Sequence, residues 1–332
     1  MRRALVTGGA GFIGSQLVDA LVVTGVEVTV LDDFSTGRPQ NLRGARTCGA
    51  HVELADVRDA AAVDAAVAAA RPDVLFHLAA QIDVRRSLRH PEHDAAVNVI
   101  GTLNVLEAAR KHRVRRVVNT STGGAIYGAA EQVPTPESAP PRPASPYGTG
   151  KLCGEQYCAW SSRLHGLSVV TLRLANVYGA RQDPRGEAGV IARFCDALLD
   201  GRRPTIFGDG SQTRDFVHVS DVVAAQLAAA ESEVDGVVNV GTGRETSVLE
   251  LVAAVSAAGG VAPERFRPVH ERARTGEVHR SCLDASRAGA TLGVVPQVAL
   301  VDGLARTLAW IRDEARNPTP RPRLRLAPPA SR

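Results

Sequence analysis

Tyr147 and Lys151 stand four residues apart in the stretch Ser145-Pro-Tyr-Gly-Thr-Gly-Lys151. In a helix, positions i and i+4 share a face, one turn apart. A phenol ordinarily ionises near pH ~10, and an ammonium held beside it favours the phenolate. The spacing therefore describes a tyrosine able to take and return a proton near neutral pH. Lysine is otherwise avoided: Lys111 and Lys151 are the two lysines in a chain whose Lys and Arg together number 39. Tyr-x-x-x-Lys also arises by chance in many helices. The chemical reading stands only if the rest of the chain supplies a cofactor site, a further catalytic group and a substrate site.

Around this pair, strands alternate with helices. Ala4–Thr7 is a short apolar run, followed at once by Gly8-Gly-Ala-Gly11-Phe12-Ile13-Gly14 and then by Leu17, Val18, Leu21 and Val22 at helical spacing. Strand, glycine turn and helix in that order suit a dinucleotide. Gly8 permits the tight turn, Gly11 lets a pyrophosphate approach the backbone, Gly14 lets the helix pack on the strand, and the helix N-terminus faces the phosphates. A second strand, Val26–Leu31, ends at Asp32, 18 positions after Gly14, where an acceptor for a ribose 2′-hydroxyl belongs. An acidic group there repels a 2′-phosphate, so NAD is expected over NADP; a solvated strand end is the plainer reading of Asp32 and Asp33. A third strand, His51–Leu54, leads to Asp56-Val57, where the carboxylate either meets the adenine amine or is an ordinary loop residue.

Asp59–Arg71 reads as an alanine-rich helix, and Pro72–His77 as a strand running into the small turn Leu78-Ala79-Ala80, with His77 a structural strand-end residue. Pro91–His112 reads as one long helix bearing Asn98 and Asn104. A fifth strand, Val114–Thr120, ends in Ser121-Thr122-Gly123-Gly124, where a hydroxyl would meet a ligand at the carboxyl end of a parallel sheet. A proline-rich loop, 129–146, then delivers the helix Tyr147–His165 and a sixth strand, Leu167–Leu172. The fold class is α/β: a Rossmann-type doubly wound parallel sheet with a smaller C-terminal α/β substrate domain. Residues 1–172 form the cofactor domain, to which the chain returns around 216–242. Residues 173–215 and 243–316 form the substrate domain, with loops at 176–184 and 208–215 and helices at 187–199, 246–258 and 301–316. The Pro- and Arg-rich stretch 317–332 reads as a disordered tail.

The totals narrow the classes. Hydrophobic content of 44% and charged content of 22% suit a soluble globular protein. Arginine is scattered rather than gathered in a stripe, so no nucleic-acid face is expected. No apolar run reaches the ~18 residues of a membrane span. A strand pattern starts almost at residue 1, so no signal peptide is expected. Five cysteines without a Cys-x-x-Cys pair suggest reduced thiols, a cytoplasmic location and no metal.

Together these residues resemble the extended short-chain dehydrogenase/reductases, specifically the nucleotide-sugar 4-epimerases similar to UDP-glucose 4-epimerase. The matching pieces run from Ala4 to Trp310: Thr7–Gly14, Leu31–Gly37, His77–Ala80, Ser145–Lys151, Asn176–Gly179, Gly208–Val219, Asn239–Gly243 and Arg274–Glu277. The resemblance implies bound NAD, contacted by Gly8, Gly11, Phe12, Ile13, Gly14, Asp32, Asp33, Ser35, Thr36, Gly37, Asp56, Val57, Leu78, Ala79, Ala80 and Asn98, together with Tyr147 and Lys151. It implies that Tyr147 takes the proton of the sugar 4-hydroxyl, that Lys151 lowers its pKa, and that Thr122 bonds the reacting oxygen. The turn 122–127 is one residue longer than in many members, which makes Ser121 the alternative. Asn176, Arg214, Arg274 and Glu277 are the implied contacts to a UDP-sugar, and Ser281 falls on the position that limits bulk at C2.

Within the family, 4,6-dehydratases carry an acid–base pair after that threonine, whereas this chain has Gly123-Gly124, which can move no proton. A glutamate and a carboxylate-binding arginine, as in decarboxylases, are not evident. The expectation is C4 epimerisation of a UDP-hexose, UDP-glucose or UDP-N-acetylglucosamine, through a 4-keto intermediate. A uronic acid 4-epimerase is the alternative, should Arg185 or Arg193 face the sugar. The resemblance also implies a homodimer through the helices near 94–112 and 147–165.

Overall fold

In the computed structural model, residues 1–184, 189–273 and 278–316 are described. Arg185, Arg274, Glu277 and the 317–332 stretch lie outside them.

Alternation of apolar residues builds the central sheet. Its strands are β1 (Arg3–Thr7), β2 (Glu27–Asp32), β3 (His51–Leu54), β4 (Val74–His77), β5 (Arg116–Thr122), β6 (Val169–Leu174) and a last strand, Gly236–Val240. Every pairing is parallel, in the order Gly236–Val240, β6, β5, β4, β1, β2, β3. Successive side chains point to opposite faces. Val6, Val30, Phe76 and Val118 thus join Leu17, Val18, Val222 and Ala225 from the helices Phe12–Val23 (α1) and Val219–Glu231 in one apolar layer. Leu5, Leu31, Leu75 and Val117 face Val63, Val67, Val105, Leu106 and Cys158 from the helices Ala60–Ala70, Gly101–Lys111 and Pro146–His165 in the other. Between β1 and β4 the winding reverses, which opens a crevice at the carboxyl ends of the strands.

A third apolar cluster stands apart from the sheet. Phe194, Leu198, Leu251, Val255, Leu304 and Leu308 bring together the helices Val190–Leu199, Val248–Ala258 and Leu300–Arg316. Among the described residues, no helix is long and apolar enough to cross a membrane.

Several boundaries differ from the sequence reading for local reasons. The long helix expected over 91–112 is Pro91–Ala95, a π-helical turn Ala96–Ile100, and Gly101–Lys111. At its far edge, Gly101 meets the Val57 side chain, which a Cβ would approach to 2.7 Å. The helix expected from 246 starts at Val248, because Ser247 caps it and forms a capping box with Glu250. The expected loop 176–184 opens with a strand, Asn176–Tyr178, paired in parallel with Phe216–His218. Inside the expected loop 208–215, Thr213–Arg214 pairs with both Thr246–Ser247 and Arg280–Ser281. β6 runs to Leu174, two residues past the expected domain limit.

Candidate active site

The glycine turn has the geometry its spacing implies. Gly8 has φ +67° and lies so close to Ala79 that a Cβ would come within 2.6 Å of its backbone nitrogen. A Cβ on Gly14 would lie 2.2 Å from the Gly8 carbonyl oxygen, so helix and turn close together only through glycine. At Gly11 the nearest atom to a Cβ is that same oxygen, at 3.1 Å, so the side chain omitted there would fill the cradle above the turn. α1 begins without a side-chain cap, which leaves the first N–H groups, from Phe12 onward, directed at the crevice. This cradle fits a pyrophosphate.

Asp32 closes β2 beneath the turn. It is 6% exposed; Oδ2 accepts from the Ala10 N–H at 2.9 Å and Oδ1 from the Phe34 N–H at 2.8 Å. Burial pushes its pKa up. Asp33 is the solvated member of the pair: its Oδ1 accepts from the Ser35 N–H and hydroxyl, at 2.9 and 2.6 Å, and so shapes the 33–37 loop. Thr36 is exposed and Gly37 lies against the Asp32 carboxylate. The Asp56 carboxylate is engaged by Arg58, whose Nε lies 3.0 and 2.9 Å from its two oxygens, and that partner holds its pKa down. Val57 is buried, its carbonyl accepting from the Asn104 amide at 2.9 Å.

A hydrogen-bond chain pins the turn after β4. The Thr7 hydroxyl accepts from the Leu78 and Ala79 N–H groups, both at 3.2 Å, which leaves it to donate to His77 Nδ1 at 2.8 Å. His77 Nε2–H then donates to Thr102 at 3.1 Å, and Thr102 to the Asn98 carbonyl at 2.7 Å. This assigns a neutral imidazole, in keeping with burial pushing its pKa down to about 3. His77 is structural, as its strand-end position suggests. The Asn98 amide is spent inside the protein: Nδ2 donates to the Gln81 carbonyl and Asp94, and Oδ1 accepts from the Gln81 N–H. Asn98 thus shapes the loop after Ala80 rather than presenting its amide to the crevice.

Tyr147 lies in the first turn of the helix Pro146–His165, with Ser145 as its cap (Oγ to Gly148 N, 3.2 Å) and Pro146 at its start. Its own N–H donates to Ser87 Oγ at 3.2 Å. The Thr122 hydroxyl stands beside the phenol, near enough to oppose the rise in its pKa. Ser121 sits one residue back on β5, opposite Arg173 of β6, its Oγ buried and without a hydrogen-bond partner among the described residues. Because side chains alternate along a strand, Thr122 rather than Ser121 is the hydroxyl beside Tyr147, and the short helix Gly123–Ile126 follows it directly.

Lys151 follows one turn later, 7% exposed, its pKa pushed down to about 8 by burial, with the Glu155 carboxylate acting the other way. The phenol does not behave as the spacing alone suggests. Burial is the largest influence and pushes it up to about 12; the Thr122 hydroxyl opposes this, and the charge of Asp94 adds to it. Asp94 is a buried carboxylate that the sequence reading missed. It accepts from Gln81 Nε2 at 2.8 Å and Asn98 Nδ2 at 3.1 Å, and would be 2.8 Å from a Cβ on Gly150.

Three expected substrate contacts converge beyond Thr122. A Cβ on Gly124 would stand 3.7 Å from Asn176 Oδ1 and 3.8 Å from Ser281 Oγ. Arg214 pairs in register with Ser281. Buried Asp215, also unforeseen, ties these segments together. Its carboxylate accepts from Thr242 N, Gly243 N and Leu283 N at 2.9 to 3.4 Å, while its carbonyl accepts from Asn176 N at 2.9 Å. The signal was present in the sequence as an acidic residue immediately before the strand Phe216–His218. Arg193 is half-buried on the helix Val190–Leu199. Among the described residues, no three His, Cys, Asp or Glu side chains are arranged to hold a metal.

Comparison with known proteins agrees with this geometry. Residues 4–241 match the NAD dependent epimerase/dehydratase family. A UDP-glucose 4-epimerase of Mycolicibacterium smegmatis is 49% identical over 315 residues, covering 94% of this chain and 99% of the relative. The crystal structure of a Thermotoga maritima UDP-glucose 4-epimerase with UDP-glucose is similar at a TM-score of 0.90 and 43% identity, over 94% of this chain and 99% of the other. That of a Thermus thermophilus UDP-glucose 4-epimerase in complex with NAD gives 0.87 and 40%, over 93% and 99%. The chain belongs to the NAD dependent epimerase/dehydratase family, and its cofactor is NAD.

Proposed function

We propose that this member of the family interconverts a UDP-hexose and its C4 epimer, UDP-glucose and UDP-galactose, through a 4-keto intermediate. The observation that carries the reading is the Tyr147 phenol beside the Thr122 hydroxyl, with Lys151 one turn along the same helix and only glycine at 123 and 124. That set can move the 4-hydroxyl proton, but the turn after Thr122 holds no group to expel water from the sugar. Its support is the family match and the names of the relatives. NAD, when bound, supplies the hydride acceptor and a positive ring charge that favours the phenolate. Tyr147 takes the proton from the 4-hydroxyl and later returns it. Thr122 hydrogen-bonds the reacting oxygen, and Lys151 holds positive charge beneath the phenol. The crevice lining from Gly8 to Gly14, with Asp32, Asp33, Ser35, Thr36, Gly37, Asp56, Val57 and Leu78–Ala80, holds the cofactor.

In this reading Asn176 and Arg214 hold the sugar diphosphate, joined by Arg274 and Glu277, while the third apolar cluster underlies a substrate domain that closes over the sheet. Small Ser281 opposite Gly124 leaves room for an N-acetyl group at C2, so UDP-N-acetylglucosamine is a second substrate. A homodimer, pairing the helices that expose Ile100, Tyr157 and Leu164, and a cytoplasmic location complete the proposal.

The test is incubation with UDP-glucose, UDP-N-acetylglucosamine and UDP-glucuronic acid without added NAD, with products resolved by chromatography. The first two give their C4 epimers and the third is unchanged. Tyr147→Phe keeps its NAD and loses turnover. An active Tyr147→Phe protein, or conversion of the uronic acid alone, would sink the proposal.

A further inference from the structure

Tyr147, Lys151 and Glu155 follow one another at intervals of four on the helix Pro146–His165, and so share one face. Lys and Glu at i and i+4 are spaced to pair. Yet both oxygens of Glu155, which is 4% exposed, belong to Arg173 of β6: Nε lies 3.0 and 3.1 Å from them and Nη2 lies 2.6 Å from Oε2. The same guanidinium donates through Nη1 to the Tyr127 hydroxyl at 2.8 Å and stacks 4.8 Å from that ring's centre. Tyr127 in turn donates to Asn239 Oδ1 at 2.9 Å, and Asn239 Nδ2 holds the Thr135 and Asp284 carbonyls. Tyr127 follows the short helix Gly123–Ile126, which starts directly after Thr122. Arg173 is therefore bonded to the helix that carries Tyr147 and to the residue that closes the turn after Thr122, the two elements that bring the phenol and the hydroxyl together.

Stability alone does not account for this arrangement, since a buried ion pair is no better than well-packed apolar side chains of the same volume. We infer that Arg173 is a positioning residue of the proton-transfer site: by holding both oxygens of Glu155 it keeps that carboxylate off the Lys151 ammonium, and through Tyr127 it fixes the turn that sets Thr122 against Tyr147. The inference rests on the proton-transfer role given above to Tyr147, whichever sugar is turned over. The other charged or titratable groups facing the pair are Asp94 from the helix Pro91–Ala95, neutral His77 from β4 and the Cys158 thiol on the same helix. None of them is changed by the substitutions below.

The test follows ionisation of the Tyr147 phenol by ultraviolet absorbance in the NAD-loaded protein, as the difference from Tyr147→Phe, alongside the pH profile of kcat. The chain has four tyrosines, which keeps that difference legible. Arg173→Met leaves Glu155 to pair with Lys151, cancelling the positive charge near the phenol, and moves the limb upward by roughly one pH unit, a ~10-fold loss of turnover on the limb. Glu155→Gln leaves the Arg173 charge uncompensated and moves the limb downward. The double variant falls between them. Tyr127→Phe lowers kcat ~10-fold with the limb in place. A group that only stabilises the fold would not produce shifts of opposite sign. Coincident limbs, or shifts of the same sign in the two single variants, overturn the inference. If Arg173→Met does not fold, an unmoved limb in Glu155→Gln together with wild-type kcat in Tyr127→Phe overturns it. Limbs that shift as expected in a protein inactive on every UDP-hexose would uphold the inference and sink the proposed substrate.

Discussion

Thr122→Val removes one hydroxyl and nearly nothing else, since the two side chains have the same branching. In the folded chain that hydroxyl is the group that lowers the Tyr147 pKa, against burial and Asp94, which raise it to about 12. A hydrogen bond to a charged partner is worth about 1.5–3 kcal/mol. At ~1.4 kcal/mol per factor of ten, its loss slows the phenolate-dependent step by roughly 10- to 150-fold. The sign is fixed. The bond favours the ionised phenol, so without it the phenol ionises at higher pH. The acid limb of kcat then moves upward, and part of the loss is recovered on the alkaline side. KM for the UDP-sugar changes little, because Asn176 and Arg214, the proposed diphosphate contacts, lie on other segments. The assay is the pH profile of UDP-glucose epimerisation with Thr122→Val and Ser121→Ala in parallel. Ser121 Oγ is buried without a hydrogen-bond partner among the described residues and is not among the influences on the phenol, so Ser121→Ala keeps the wild-type limb. If Ser121→Ala shows the loss and Thr122→Val does not, the alternation argument that assigns Thr122 is wrong.

Two further outcomes follow from the cofactor side. Gly14→Ala places a Cβ 2.2 Å from the Gly8 carbonyl oxygen, a backbone atom that cannot yield without opening the turn, so the protein emerges without NAD when nucleotide released on denaturation is measured; a full complement of NAD would refute the cradle geometry. His77 stays neutral in the folded state down to about pH 3, whereas an unfolded histidine protonates near 6.5. The folded pKa is the lower one, so the unfolded chain binds the extra proton and stability falls as pH drops below 6.5, by about 1.4 kcal/mol per unit. Urea unfolding at pH 7 and pH 5 should show His77→Asn losing about 2 kcal/mol less across that interval than the parent; equal losses would mean that the imidazole is not kept neutral by the fold.

What was legible in the sequence is what short-range geometry decides. Gly8, Gly11 and Gly14 act within one turn, Asp32 ends the next strand, and Tyr147 and Lys151 lie on one helix, so spacing alone placed them. Strands of three residues, such as Asn176–Tyr178, are too short to show a period and exist because Phe216–His218 lies beside them. The choice between Ser121 and Thr122 needed the strand's alternation, which extends through Thr122 before the helix Gly123–Ile126 begins. The ties from Arg173 to Glu155 and Tyr127 span 18 and 46 residues, beyond any local pattern. The sharpest difference concerns the sign of the Tyr147 shift. An ammonium one turn away argues for a lowered pKa, but the fold takes the phenol out of water, and the influences on it are burial, Thr122 and Asp94 rather than Lys151. Lys151 itself is weakened as a cation by the same burial. Two mutually helpful charges in solution thus become two reluctant ones in the interior. Their ionisation then depends on the other charges nearby: Asp94, held by the amides of Gln81 and Asn98 and acting on both groups, and Glu155, held by Arg173. Tyr-x-x-x-Lys therefore marks where a proton is handled, while the buried partners brought in from distant segments decide at what pH.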